Sequence, residues 1–275
     1  MKINFRNKAL AAFTVVFFAV IFCFFYGAPA GEEFNFKEIK IRMPVAKVEK
    51  TDPGKDAVKT ENSEIAAVKT DNNIGDVGLK KEELFLLVVP FTPQAPFGEW
   101  SDPRQQDACE EASALMAVRW ARGQELGREE AKKEILAISK YQSENFGEFR
   151  DTSAEDTLKR IIIGYFKYDK AEVKKITAAD DIIKEIKAGH AVIVPANGQK
   201  LGNPYFTPPG PERHMVVIKG YDEQKREFIT NDTGTKRGEG YRYKKDIFFS
   251  AIRDYPTGYH ELIIKEEKAM IIIKK

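Results

Sequence analysis

Three short stretches carry the residue types from which a hydrolytic site could be built. "QQDACEEASALM" (105–116) puts Cys109 directly before a helical run, "HMVVIKGYD" (214–222) opens on His214, and "REFITND" (226–232) closes on Asn231-Asp232. Backbone N–H groups in the first turn of a helix have no helical acceptor, so a cysteine there is favoured as thiolate, the nucleophilic form. A thiolate nucleophile in turn needs an imidazole. Of the three histidines, His190 opens "HAVIVPA" at a strand edge, and His260 in "TGYHELIIK" has no acidic partner in sequence. His214 has one. If residues 222–225 form a hairpin loop, Tyr221 pairs with Arg226 and His214 falls opposite residue 233, next to Asp232. A slip of one residue would exchange Asp232 for Asn231, which can orient an imidazole equally well.

The elements that must hold these groups follow from local pattern. Asp107 and Glu110 have capping-box spacing, which predicts Asp107 as N-cap, Cys109 in the first turn and Glu110 folded back on the cap. Glu111 reads as a solvated side chain, and both carboxylates oppose a neighbouring thiolate. Ala108, Ala112, Leu115, Met116 and Trp120 recur at helical spacing up to Arg122-Gly123. Further helices are predicted at 127–140, 153–166 and 178–188. Strands are predicted at 83–91, 190–196, 214–221 and 226–232, with "HELIIK" and "AMIIIK" as a pair near the C-terminus. Helices first and strands last predict an α+β domain with a helical half and an antiparallel sheet half. The two tryptophans, Trp100 and Trp120, read as packing residues.

The 275 residues carry 44 Lys and Arg against 42 Asp and Glu, and 43% are hydrophobic. That balance gives no electrostatic case for a nucleic-acid partner. Lys2, Arg6 and Lys8 precede a stretch, 9–26, without any charge. Eighteen residues at ~1.5 Å each span roughly the hydrocarbon core, and the leading positive charge places the following chain outside the cytoplasm. Residues 1–30 therefore read as a membrane anchor or, with Ala28-Pro29-Ala30 as a processing site, as a signal peptide of a secreted protein. Residues 31–80, with the near-repeat "AVKTEN" and "AVKTDN", read as a low-complexity stalk, and residues 81–275 as one domain.

Taken together, "VPFTPQAP", "CEEASALMAVRWARG", "HMVVIKGYD" and "FITNDTG" resemble the papain-like cysteine peptidases, within them the bacteriocin-processing, double-glycine leader peptidase-like domains in forms without a fused transporter. The resemblance covers roughly residues 85–255. It implies Cys109 as nucleophile, His214 as general base and acid, and Asp232 as the residue that orients the ring. It also implies a glutamine ahead of the cysteine as oxyanion donor. Gln94 matches that motif across an insertion, "FGEWSDPRQQ", folded over the site, and Gln105 and Gln106 are the nearer substitutes. The chain departs from the family in carrying Glu110-Glu111 where many relatives have Gly-Pro.

The implied partners are a peptide or protein substrate and, through the N-terminal segment, a membrane. No metal or other cofactor is expected, since the sequence has neither H-E-x-x-H nor C-x-x-C. The loop 197–213, rich in Gly and Pro and ending at His214, is predicted to overhang the cleft. Two other readings share this sequence: an inactive peptide-binding module of the same fold, and a cell-wall amidase or acyl transferase using the same Cys–His chemistry.

Overall fold

A computed structural model of the chain describes residues 84–275. The expected anchor at 1–30 and stalk at 31–80 lie outside the described residues. No helix among the described residues is long and apolar enough to cross a membrane.

Strand β1 (Leu84–Leu86) leads through an irregular segment to helices α1 (Pro103–Gln106), α2 (Cys109–Ala121) and α3 (Arg128–Phe146). Helix α4 (Ala154–Asp156) runs on as a π-helix over Thr157–Tyr165. Then follow β2 (Ala171–Lys175), α5 (Ala179–Lys187), β3 (Ala191–Ala196), α6 (Gly198–Leu201) and β4 (His214–Asp222). The chain closes with β5 (Glu227–Asp232), β6 (Glu239–Lys244), α7 (Lys245–Ala251) and β7 (Ala269–Ile273).

The strands form one antiparallel sheet in the order β2-β7-β3-β4-β5-β6, and β1 pairs with β4. Helix α2 packs on one face with Ile193, Met215, Val217 and Ile271, while α5 and α7 cover the other with Val192, Val194, Val216 and Ile272. A sheet covered on both faces explains why all six residues of β3 are buried and why its sequence shows no alternation. Helix α2 is likewise buried on nearly every side, with Ala112, Leu115, Met116 and Val118 all inaccessible.

The expected helices and the main strands are present, with differences at the margins. The 83–91 strand is confined to Leu84–Leu86. "HELIIK" is not a strand, and β7 instead lies between β2 and β3. Strands β2 ("AEVKK") and β6 ("EGYRYK") escaped the sequence pattern because they are the two edges of the sheet. Charged side chains suit an edge and dilute the apolar signal of a strand.

The β4–β5 hairpin differs from the expected register in an instructive way. Its loop is Glu223–Arg226, with Asp222 opposite Glu227 and Tyr221 opposite Phe228. Between Ile218 and Gly220 the register shifts, so that Ile218 faces Thr230 and Val216 faces Asp232. Lys219 is the extra residue of this bulge. Side chains alternate faces along a strand, so a shift of one residue exchanges the faces beyond it. Without the bulge, Asp232 would share a face with Met215 and Val217. With it, Asp232 lies on the face of Val216, and His214, two residues along β4, is its diagonal neighbour on that same face. Gly220 allows the bulge to meet β1: a Cβ there would stand 2.5 Å from the Phe85 carbonyl oxygen.

Candidate active site

His214 Nε2 lies 2.8 Å from Asp232 Oδ1, and both side chains are essentially inaccessible to water. The carboxylate accepts three further hydrogen bonds: Gly234 N–H on Oδ1 at 3.0 Å, and Tyr243 O–H (2.5 Å) and Asn203 Nδ2 (3.2 Å) on Oδ2. Burial by itself would raise this carboxyl, but the imidazole, the phenol and the Gly234 amide overcome it and hold Asp232 below its ordinary value. Tyr243 is pushed upward by burial and by the Asp232 charge, which keeps it a donor. Phe206, from the loop ahead of β4, packs edge-on against the His214 ring at 5.3 Å between centroids. Asn231, the other candidate orienting residue, is committed elsewhere. Its side chain donates to the carbonyls of Val89 and Pro90 and accepts from Gly240 N–H, which ties β5 to the segment leading to Gln94.

Gly238 permits the turn after β5 to fold onto Asp232. A Cβ at Gly238 would fall 1.8 Å from the Asp232 carbonyl oxygen, and Asp232 N–H already donates to the Gly238 carbonyl. Gly238→Ala is therefore expected to cost about 2–3 kcal/mol, measured by urea unfolding. An unchanged midpoint would show that the turn can relax.

Cys109 is the first residue of α2, after Ala108 as N-cap; Asp107 caps the end of α1 and makes no N-cap bond to α2. The predicted capping box is absent, and Glu110 is not a solvent-side cap. It is buried beneath the helix start, where Tyr255 O–H (2.7 Å) and Thr152 N–H (3.2 Å) donate to its Oε1. The thiol of Cys109 donates to its Oε2 at 3.1 Å. Burial raises the Cys109 thiol well above its ordinary value, and the Glu110 charge adds to this. Burial first, and Asp151 second, push the Glu110 carboxyl up to about 7.

Glu111, read from sequence as solvated, is fully buried. Its Oε1 accepts from Gln142 Nε2 (2.9 Å) and Ser139 Oγ (3.4 Å), and burial raises its carboxyl strongly. The sequence reading failed at both glutamates because α2 is enclosed by segments distant along the chain, which no local pattern announces.

Cys109 and His214 line one cleft of about 980 Å³, together with Gln94, Gln106 and Asp151. The volume is that of a site for a substantial ligand. Gln94 is held in place by its backbone N–H on the Thr233 carbonyl (2.9 Å) and by Nε2 on the Gln106 carbonyl (2.6 Å). A carboxamide nitrogen carries two protons, so one remains for a ligand. Gln106 reaches the cleft, whereas Gln105 is buried outside it with Nε2 on Glu99. The inserted segment contributes Phe97, Gly98 and Trp100 to the rim. The 197–213 loop contributes Tyr205, Phe206, Thr207 and Arg213, as its position before His214 predicted.

His260 also lines the cleft, but its ring stacks on Tyr259 at 4.1 Å. His190 lies away from the cleft with Nδ1 on Glu185 at 2.9 Å. Tyr243, Asn203 and Gly234 were not singled out from sequence. Tyr243 sits on an edge strand without apolar alternation, and the other two are turn residues of ordinary type.

Residues 86–258 match the model of the Peptidase_C39 like family. No curated protein matches the chain. Among solved structures, a Bacillus anthracis protein described as a C39-like peptidase is 18% identical, with a TM-score of 0.46. That alignment covers 70% of this chain and 99% of the other.

Proposed function

Because the chain belongs to the Peptidase_C39 like family, whose model spans more than half of it, we propose that it is a cysteine peptidase with Cys109, His214 and Asp232 as its triad. The observation that carries this reading is the buried His214–Asp232 pair opening on the same cleft as Cys109. With Nε2 given to Asp232, the imidazole keeps Nδ1 for the thiol proton, and that nitrogen has no other hydrogen-bond partner among the described residues. Sγ then attacks the peptide carbonyl, and the imidazolium returns the proton to the leaving amine. Water, deprotonated by the same nitrogen, releases the acid from the thioester. The oxyanion is met by the free Nε2 proton of Gln94 and the N–H of Cys109, which at the first helical position has no intrahelical acceptor. The N-terminal uncharged stretch supports an extracytoplasmic, membrane-tethered or secreted enzyme acting on peptides or proteins.

A second reading, a peptide-binding module without turnover, is favoured by the Cys109 thiol, which donates to a carboxylate and is raised rather than lowered. Alkylation separates the two. Iodoacetamide is added to the full chain at pH 6, modification is followed at the Cys109 peptide by mass spectrometry, and His214→Ala is run alongside. For a peptidase, the variant is expected to react about tenfold more slowly or worse and to lose cleavage of a fluorogenic peptide library. Superimposed rates with no turnover in either protein would establish the binding module.

A further inference from the structure

Glu110 is a buried carboxylate in hydrogen-bond contact with the proposed nucleophile, and the reaction just described gives it no task. Its surroundings are unusually one-sided. From its own helix it faces Cys109 and Glu111; from the segment before α4 it faces Asp151 and the Thr152 amide; from the segment after α7 it faces Tyr255. Asp151 itself stands 3.8 Å from Arg213 Nε through Oδ2, which also accepts from His260 N–H at 2.8 Å, and Arg213 is shared with Glu212 at 3.1 Å. Among the described residues no Lys, Arg or His pairs with Glu110 itself. A buried, hydrogen-bonded carboxylate without a counter-ion exchanges protons near neutral pH more readily than an exposed one.

We propose that Glu110 decides when Cys109 can act: its carboxylate accepts the thiol hydrogen bond and holds Sγ neutral, and its protonated carboxyl donates that hydrogen bond back to the thiolate. The inference rests on Cys109 as nucleophile. In the resting form the site holds carboxylate, S–H and neutral imidazole. Activation takes one proton from solvent onto Glu110 Oε2, while the thiol proton passes to His214 Nδ1. The product is a neutral carboxyl, a thiolate and an imidazolium, so the charge rises by the single proton gained. A thiolate beside ionised Glu110 would instead place two anions in contact within a buried pocket, which is strongly disfavoured. The carboxyl's titration near 7 puts the change within reach of ordinary pH. The enzyme is thereby favoured in mildly acidic surroundings and progressively silenced as the surroundings turn alkaline.

The test is the pH profile of Cys109 alkylation in the full chain, read at the Cys109 peptide so that Cys23 does not contribute. Wild type, Glu110→Gln, Tyr255→Phe and His214→Ala are compared, with circular dichroism as the folding check. Glutamine keeps the acceptor oxygen for Tyr255 and Thr152 and offers a permanent N–H to Sγ. Relative to wild type it is expected to react about tenfold faster at pH 8 and within about threefold at pH 5.5. Tyr255→Phe removes a hydrogen bond that stabilises the Glu110 carboxylate, so the fall in wild-type reactivity should move to higher pH without the glutamate being touched. A Glu110→Gln profile parallel to wild type, with His214→Ala still abolishing reactivity, overturns the role of Glu110 and leaves the peptidase reading intact. An indifferent His214→Ala with a responsive Glu110→Gln does the reverse.

Discussion

Asp232→Asn is expected to lower peptide turnover by about 10²–10⁴-fold while leaving KM nearly unchanged. The reason lies in the donor count at this side chain. Four groups aim hydrogen-bond donors at the carboxylate: the His214 ring and the Gly234 amide on Oδ1, Tyr243 O–H and Asn203 Nδ2 on Oδ2. A carboxylate accepts all four, whereas a carboxamide has one accepting oxygen and two protons of its own. If the new N–H₂ faces His214, the ring must present a bare Nε2 and carry its proton on Nδ1, the nitrogen that has to accept the thiol proton. If it faces Tyr243 and Asn203, two buried donors oppose two others, at a cost of about 1–3 kcal/mol. The first arrangement leaves one buried donor, the Gly234 amide, opposed and disables the base, so the main effect should appear in kcat. Turnover within about threefold of wild type would show that the ring is held by Phe206 and the cleft walls alone.

The second large effect concerns stability. Glu110 rises from an ordinary 4.5 to about 7 in the folded protein, so the folded state binds the extra proton between those values. The stability this group contributes is therefore fully present below pH 4.5, falls as pH rises through the window, and is gone above 7. The loss from this one group is on the order of 3 kcal/mol. For a domain of this size that corresponds to a Tm lower by roughly 5–10 °C at pH 8 than at pH 5. Glu111 is shifted in the same direction by burial and steepens the fall. Asp232 is shifted the other way, so its contribution is lost only as pH drops below the ordinary carboxylate range, outside this window. Glu110→Gln is expected to match wild type near pH 5 and to melt higher at pH 8. Parallel Tm curves for the two proteins would sink this account. The slope belongs to the neighbour of the proposed nucleophile, so stability is given up at the position where we place control of the thiol.

Much of the architecture was legible in the chain before it folded. The order of Cys109, His214 and Asp232, each at the start or end of a recognisable element, was enough to nominate these residues; Cys109 and His214 line one cleft, and Asp232 is buried behind the His214 ring. Helices α2, α3 and α5 were legible from apolar residues recurring at helical spacing, and strands β3, β4, β5 and β7 from short apolar, β-branched runs. Gln94, which the motif around it nominates, lines the same cleft.

The face and the depth that each group occupies were set by packing. The pairing of His214 with Asp232 depends on the Lys219 bulge. The simple hairpin register inferred from sequence set the right residues near each other on opposite faces; a single unpaired residue, seated against β1, puts them on one. Glu110 and Glu111 carry the local signature of a solvated helix start. They are buried because Thr152, Tyr255, Ser139 and Gln142 close over them, partners from 28 to 145 residues away along the chain. Local sequence records the period of an element and the chemistry of its caps. Contacts across such distances are fixed only when the helices and the sheet pack, and packing is what turned Glu110, a cap in sequence terms, into the proposed control of the thiol.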